Sequence, residues 1–151
     1  MAEDYKIRSQ LKHRFHPQWR DLFLGMLDQF DDQQKIADFM RSAGARIAKA
    51  ADLGETRSLK DLEHALNAYF LETEWGWVVI DEREDYLWLR HGGFPAMGVE
   101  MAAPERAMIH VLEGFYTELL NRLASTSDFT ARCGEYPGTS FETVNIAYGD
   151  H

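Results

Sequence analysis

Cysteine is nearly absent from this chain: Cys133 stands alone, so no disulfide can close within it. Long apolar runs are missing too, and nothing approaches the ~20 residues that a membrane-spanning helix needs. The opening stretch, MAEDYKIRSQLKHRF, lacks the apolar segment of a secretory signal. These absences set the expectation of a cytoplasmic protein with no direct membrane insertion. Basic charge is scarce: 16 Lys and Arg stand against 25 Asp and Glu, a net charge of −9, which argues against a nucleic-acid partner. No internal repeat or low-complexity tract is visible. The GxSxG, P-loop, GxGxxG and HExxH signatures are all absent, so no standard nucleophile, phosphate cradle or zinc helix is encoded locally.

What is present is material for a core. Apolar residues make up 45% of the chain and aromatics 13%, enough for a folded body. One domain over residues 1–151 is the expectation, divided into an N-terminal arm (1–16) and a globular body (17–151). The most regular stretch runs from Pro104 to Ala124. Pro104 suits a first helical position. Met108, Val111, Leu112, Phe115, Leu119 and Leu123 then recur at three- and four-residue steps, which places them on one face. Glu105, Arg106, Glu113, Glu118, Asn121 and Arg122 fall on the other. Gly114 sits mid-helix, where it costs ~1 kcal/mol against Ala and suits the close approach of another backbone.

Upstream, Trp19, Leu22, Phe23, Met26, Leu27 and Phe30 form a helical stripe after the boundary at Pro17. Asp31 with Gln34 reads as a capping box opening a second helix, and Ser58 with Asp61 opens a third. Gly44 and Ala45 keep part of the second helix thin. Gly76 breaks the helical period, and Trp77–Glu82 and Tyr86–His91 read as a hairpin around a charged turn. After a glycine-rich loop and the central helix, Asp128–Glu135 and Phe141–Tyr148 read as a second hairpin around Pro137-Gly138. The fold class is therefore α+β: an N-terminal helical block, then two antiparallel β-hairpins separated by a long central α-helix.

Candidate chemistry is thin. His13 and His16 have a spacing that can share a metal on a helix, yet no third ligand accompanies them. His110 and Glu113 can meet on the central helix, more as a surface contact than as an acid/base pair. His64 and His91 have no evident partner. Asp31-Asp32 is a helix start, and Glu82, Glu84 and Asp85 are a solvated turn. Cys133, alternating with Phe129 and Ala131, is a small buried strand residue with no base in view. Trp75, Trp77, Tyr86 and Trp88 can stack on sugar rings, although such residues more often fill a core. No catalytic residue, metal or cofactor is expected. Charge is uneven: residues 1–20 carry five basic and two acidic side chains, and the remainder carries 11 basic and 23 acidic. A basic arm on an acidic body can dock on a neighbouring subunit or simply be solvated.

The order of four short motifs resembles the BcsD family, the D subunits of bacterial cellulose synthase complexes. They are Asp31-Asp32-Gln33; Gly44-Ala45-Arg46-Ile47; Leu66-Asn67 leading into Trp75-Gly76-Trp77-Val78; and Val111-Leu112-Glu113-Gly114-Phe115-Tyr116. Together they span about residues 20–120. The resemblance implies a non-catalytic accessory subunit of helices plus an antiparallel sheet. It implies a homo-octamer whose N-terminal segments line passages for β-1,4-glucan chains, working with the other cellulose synthase subunits at the inner membrane. On that basis Tyr5, Lys6, His13, Phe15 and His16 are the expected glucan-passage residues, as a region rather than atom by atom. Gly44, Ala45 and Gly114 are the expected thin surfaces for subunit contact. The alternative is a small-molecule-binding α+β module of a cytosolic regulator.

Overall fold

A computed structural model describes residues 17–94, 104–134 and 143–150. The arm residues Tyr5, Lys6, His13, Phe15 and His16, the loop at Pro95 and Gly98, and the Pro137-Gly138 turn lie outside the described residues. Helix α1 covers Pro17–Leu27, α2 Gln33–Ala50, α3 Leu59–Thr73 and α4 Ile109–Ala124. The strands are β1 (Trp77–Glu82), β2 (Tyr86–Gly92), β3 (Thr130–Gly134) and β4 (Thr143–Gly149). The α+β class and the helix–hairpin–helix–hairpin order expected from the sequence are both present.

Local chemistry explains the boundaries. Ser58 caps α3 by accepting the Asp61 N–H at 3.0 Å, and the Asp61 carboxylate accepts the Arg57 N–H at 3.2 Å. At α2 the cap is Asp32, not Asp31: its carboxylate accepts the Lys35 N–H at 2.7 Å. Asp31 instead pairs with the Lys35 ammonium, and Gln34 turns forward to Asp38. Two adjacent carboxylates each satisfy the cap pattern, and the extended backbone at Asp32 decides between them. Helix α3 ends with Glu74 in the left-handed region, and Gly76 follows at φ 97°. A Cβ at Gly76 would lie 1.9 Å from the Gly92 carbonyl oxygen, so this junction admits only glycine. The central helix starts later than its pattern suggests, because Pro104–Met108 is a 3-10 turn.

The two hairpins join into one antiparallel sheet of order β1-β2-β4-β3. Strands β2 and β4 meet at its centre, with Leu89 opposite Ile146. Each half pairs an edge strand with a central one, so α3-β1-β2 and α4-β3-β4 form two like helix–hairpin units. This repeat has no counterpart in the amino-acid order. Val78, Leu89, Ile146 and Ala131 project from the sheet into the core, where Leu66, Phe70, Leu112, Phe115 and Tyr116 meet them.

Helix α2 lies over α4, and their backbones touch. A Cβ at Gly44 would lie 1.9 Å from the Val111 carbonyl oxygen, and one at Gly114 would lie 1.9 Å from that of Arg41. The close approach expected at Gly114 is therefore real, but the approaching backbone belongs to this same chain. Gly44 and Gly114 are filled internally and offer no thin surface to a second copy, while Ala45 beside them is half-buried. With α2 on one side of it and the sheet on the other, α4 buries part of its polar face as well. Arg106 and Glu113, which the sequence pattern places outside, are 6% and 3% exposed.

The glycines give predictions of opposite sign. Gly114→Ala should prevent folding or lower stability by several kcal/mol, although Ala is the better helix former by ~1 kcal/mol. Gly25→Ala, whose new methyl meets nothing within 4 Å, should instead stabilise by about 0.5–1 kcal/mol. Thermal melts of the two variants beside the wild type measure both.

Candidate functional site

Of the buried polar groups, Asn67, His91 and Glu113 bond to the sheet or to the chain leading into it. Glu113 on α4 has the most partners of the three. Its Oε1 accepts from Arg41 Nε of α2 at 3.0 Å and pairs with His110 Nδ1 one turn before it; its Oε2 accepts the Cys133 N–H of β3 at 2.8 Å. One carboxylate thus ties three layers together. Burial by itself would raise its pKa; the His110 and Cys133 hydrogen bonds and the charges of His110 and Arg41 outweigh that and hold it below the usual carboxylate value. The His110–Glu113 pair suggested by the sequence exists, but inside the fold rather than at the surface.

The same bond to Cys133 belongs to a wider device. Strand β3 is an edge of the described sheet, and its outward N–H groups at Ala131 and Cys133 are taken by Thr117 and Glu113. Strand β1 is the other edge. There Asn67 both accepts from the Val78 N–H and donates to the Val78 carbonyl, and Glu63 accepts the Ile80 N–H. In each case two helix residues four apart meet two strand residues two apart. The spans match, at about 6 Å along a helix and about 6.7 Å along a strand. Both edges are thereby closed to pairing with another strand at these positions.

Under the centre of the sheet lies an aromatic cluster around His91, which is fully buried. His91 Nε2 lies 2.7 Å from the Trp75 carbonyl and must donate to it. In the neutral tautomer this leaves Nδ1 to accept from the Tyr116 hydroxyl, 2.6 Å away. Phe70, Phe94 and Tyr116 pack edge-on around the ring. This histidine shows no partner in sequence because its partners are a main-chain carbonyl and a residue 25 positions on.

The other candidates separate. Half-buried Cys133 lies against the Ile109 carbonyl; desolvation, and then the Glu113 charge, push its thiol well above the usual value, which favours the protonated, less nucleophilic form. Trp75 packs against Phe94 and Phe115, so it belongs to the core. Trp77 lies across Gly92 on the opposite sheet face, where Arg83 covers Trp88 at 4.5 Å. Glu82, Glu84 and Asp85 are exposed, as is His64. Among the described residues no group of three or more His, Cys, Asp and Glu has the placement to hold a metal ion. No described helix is long and apolar enough to cross a membrane.

The largest unexplained feature is on the surface. The α1 stripe is divided: Phe23 and Leu27 are buried, whereas Trp19, Leu22 and Met26 are 62%, 54% and 39% exposed. Phe39 on α2 adds another exposed ring beside Phe30.

Two outcomes test the buried centre. A depressed carboxyl adds stability that is complete above its ordinary pKa of about 4.3 and is lost as pH falls through the lower folded value. Glu113→Ala should cost about 1–3 kcal/mol at neutral pH by leaving the Cys133 N–H without its acceptor, while Arg41 keeps Asp38. Glu113→Gln should cost less, since the amide oxygen still accepts from Cys133, and its deficit against the wild type should shrink on acidification. Melting curves across pH check this. Cys133 should resist thiol reagents in the native protein and react promptly after unfolding; rapid native labelling would contradict the burial argument.

No curated protein matches the chain. A family model described as the D subunit of cellulose synthase matches residues 5–145, which include the four described helices, β1 to β3 and the start of β4. The motifs that carry the resemblance have structural meaning here. Gly44 and Gly114 make the helix crossing, Asn67 closes β1, Gly76 makes the α3–β1 junction, and Glu113 ties the layers. With a match over most of its length, the chain belongs to the family of cellulose synthase D subunits.

Proposed function

We propose that this protein is a non-catalytic, oligomeric scaffold that helps order and export β-1,4-glucan chains beside the other subunits of a cellulose synthase. Membership of the D-subunit family carries this reading. The chemistry of the body is consistent with it. Glu113, Asn67 and His91 are bonded within the fold, and the lone thiol is held protonated. Residues of that kind keep a framework rigid; they do not bind and turn over a substrate.

In this reading the copies form a closed homo-oligomer, an octamer by the family resemblance, on the cytoplasmic side of the membrane-embedded synthase. The arm lines the glucan passages. Tyr5, Lys6, His13, Phe15 and His16 supply ring faces and hydrogen-bonding groups suited to sugar rings and hydroxyls. No metal and no cofactor take part.

Light scattering should give a mass well above that of a dimer; a monomer at micromolar concentration would refute the scaffold. Deleting residues 1–16 should leave the melting temperature of the body nearly unchanged and lower cellulose yield or crystallinity in cells lacking their own copy. Normal cellulose from a correctly assembled truncated protein would remove the passage role.

A further inference from the structure

We propose that α1 is a two-fold contact between copies of this chain, in which two α1 helices pack antiparallel through Trp19, Leu22 and Met26. The inference rests on the oligomeric reading above and gives it a surface.

Three observations support it. First, the exposed half of the α1 stripe is a continuous strip, with residues 19, 22 and 26 following one another at helical steps. Its neighbours Phe23 and Leu27 hold the helix to the body, so the strip sits on an anchored element. Secondly, the side chains of α3 and α4 close both edges of the described sheet, which directs assembly to side-chain faces. Thirdly, the charge along α1 is polar end to end. The N-terminal end of α1 carries the positive pole of the helix dipole. Exposed Asp28, Asp31 and Asp32 follow its C-terminus, and Lys35 offsets them only in part. Between the ends, Arg20 and Asp21 balance.

Such a helix is complementary to itself only when reversed. Antiparallel packing sets the acidic corner of each copy beside the positive N-terminal end of the other's α1, keeps the two acidic corners apart and opposes the helix dipoles. A parallel arrangement sets like charges together. Residues 19 and 26 lie equally far from the middle of the strip, so Trp19 of one copy meets Met26 of the second, and Leu22 lies close to Leu22.

The test mixes two single-cysteine variants, Trp19→Cys and Met26→Cys, and oxidises them or bridges them with a short bismaleimide. Both sites are exposed, so neither change strips the core, and wild type with its half-buried Cys133 is the control. Expected are a disulfide or bridge joining the two variants, little product from Trp19→Cys alone, and a yield that falls with added salt. In parallel, Leu22→Glu should reduce the particle mass at least two-fold with an unchanged far-ultraviolet spectrum. Efficient self-linking of Trp19→Cys would mean parallel packing and overturn the proposal. So would an intact oligomer that gives no product and an unchanged mass for Leu22→Glu, which leaves the scaffold standing on another contact. Protection of the Trp19→Cys thiol by a cello-oligosaccharide, without cross-linking, would assign the strip to glucan instead. A monomeric wild type would defeat the scaffold and this contact together.

Discussion

Backbone contact between α2 and α4 at Gly44 and Gly114 is the constraint on which the other features depend. With a Cβ at either position the helices must separate, because the atom it would strike is a main-chain oxygen that cannot rotate away. The small separation lets Arg41, whose carbonyl faces Gly114, carry its guanidinium to Glu113, the residue just before that glycine on α4. Glu113 in turn reaches through to β3. Wider spacing would leave a buried carboxylate without its cation, which is strongly destabilising. Steric closeness and charge pairing are therefore one arrangement.

The two helix–hairpin units show how a small sheet is kept from growing. An open antiparallel sheet presents unpaired N–H and C=O groups at both sides. Here a helix runs antiparallel to each edge strand and supplies side-chain acceptors at the matching spacing. The residues differ between the units: Asn67 and Glu63 at one edge, Thr117 and Glu113 at the other. Glu113 serves both the edge and the helix crossing. That double duty couples the α2–α4 layer to the second unit and has no equivalent at Glu63.

Much of this was legible in the sequence wherever a local rule decides it. Ser58 with Asp61, the glycine at 76 and the period change at Trp77 located α3 and the first hairpin, since caps and turns are made by neighbours. The Asp31/Asp32 ambiguity shows the limit of such rules, because adjacent identical residues both satisfy them. The site was legible only in part. Gly114 signalled a close approach, but nothing in the amino-acid order says whether the approaching backbone lies in the same chain. Glu113 reads as solvent-facing since a one-sided helix pattern cannot reveal a second packing layer. The edge caps are invisible for the same reason: they depend on a helix–strand alignment across 11 to 20 residues, not on any motif.

The stripe on α1 carries this point further. Seen as a period, Trp19, Leu22, Phe23, Met26 and Leu27 form one apolar face, and a lone body can cover only part of it. Burying a large apolar side chain is worth about 1.5–3 kcal/mol, so three left in water forgo stability that a slightly rotated helix would recover at the expense of Phe23 and Leu27. A rotation cannot satisfy both halves, because the stripe is wider than the single contact α1 makes. A surface of that kind has a purpose only if something else meets it. Since the core of this fold is already closed by its glycines, its edge caps and its buried carboxylate, the unmet half of α1 is where the body has most to gain from a neighbour. The charge running along the helix then sets the direction in which that neighbour must lie.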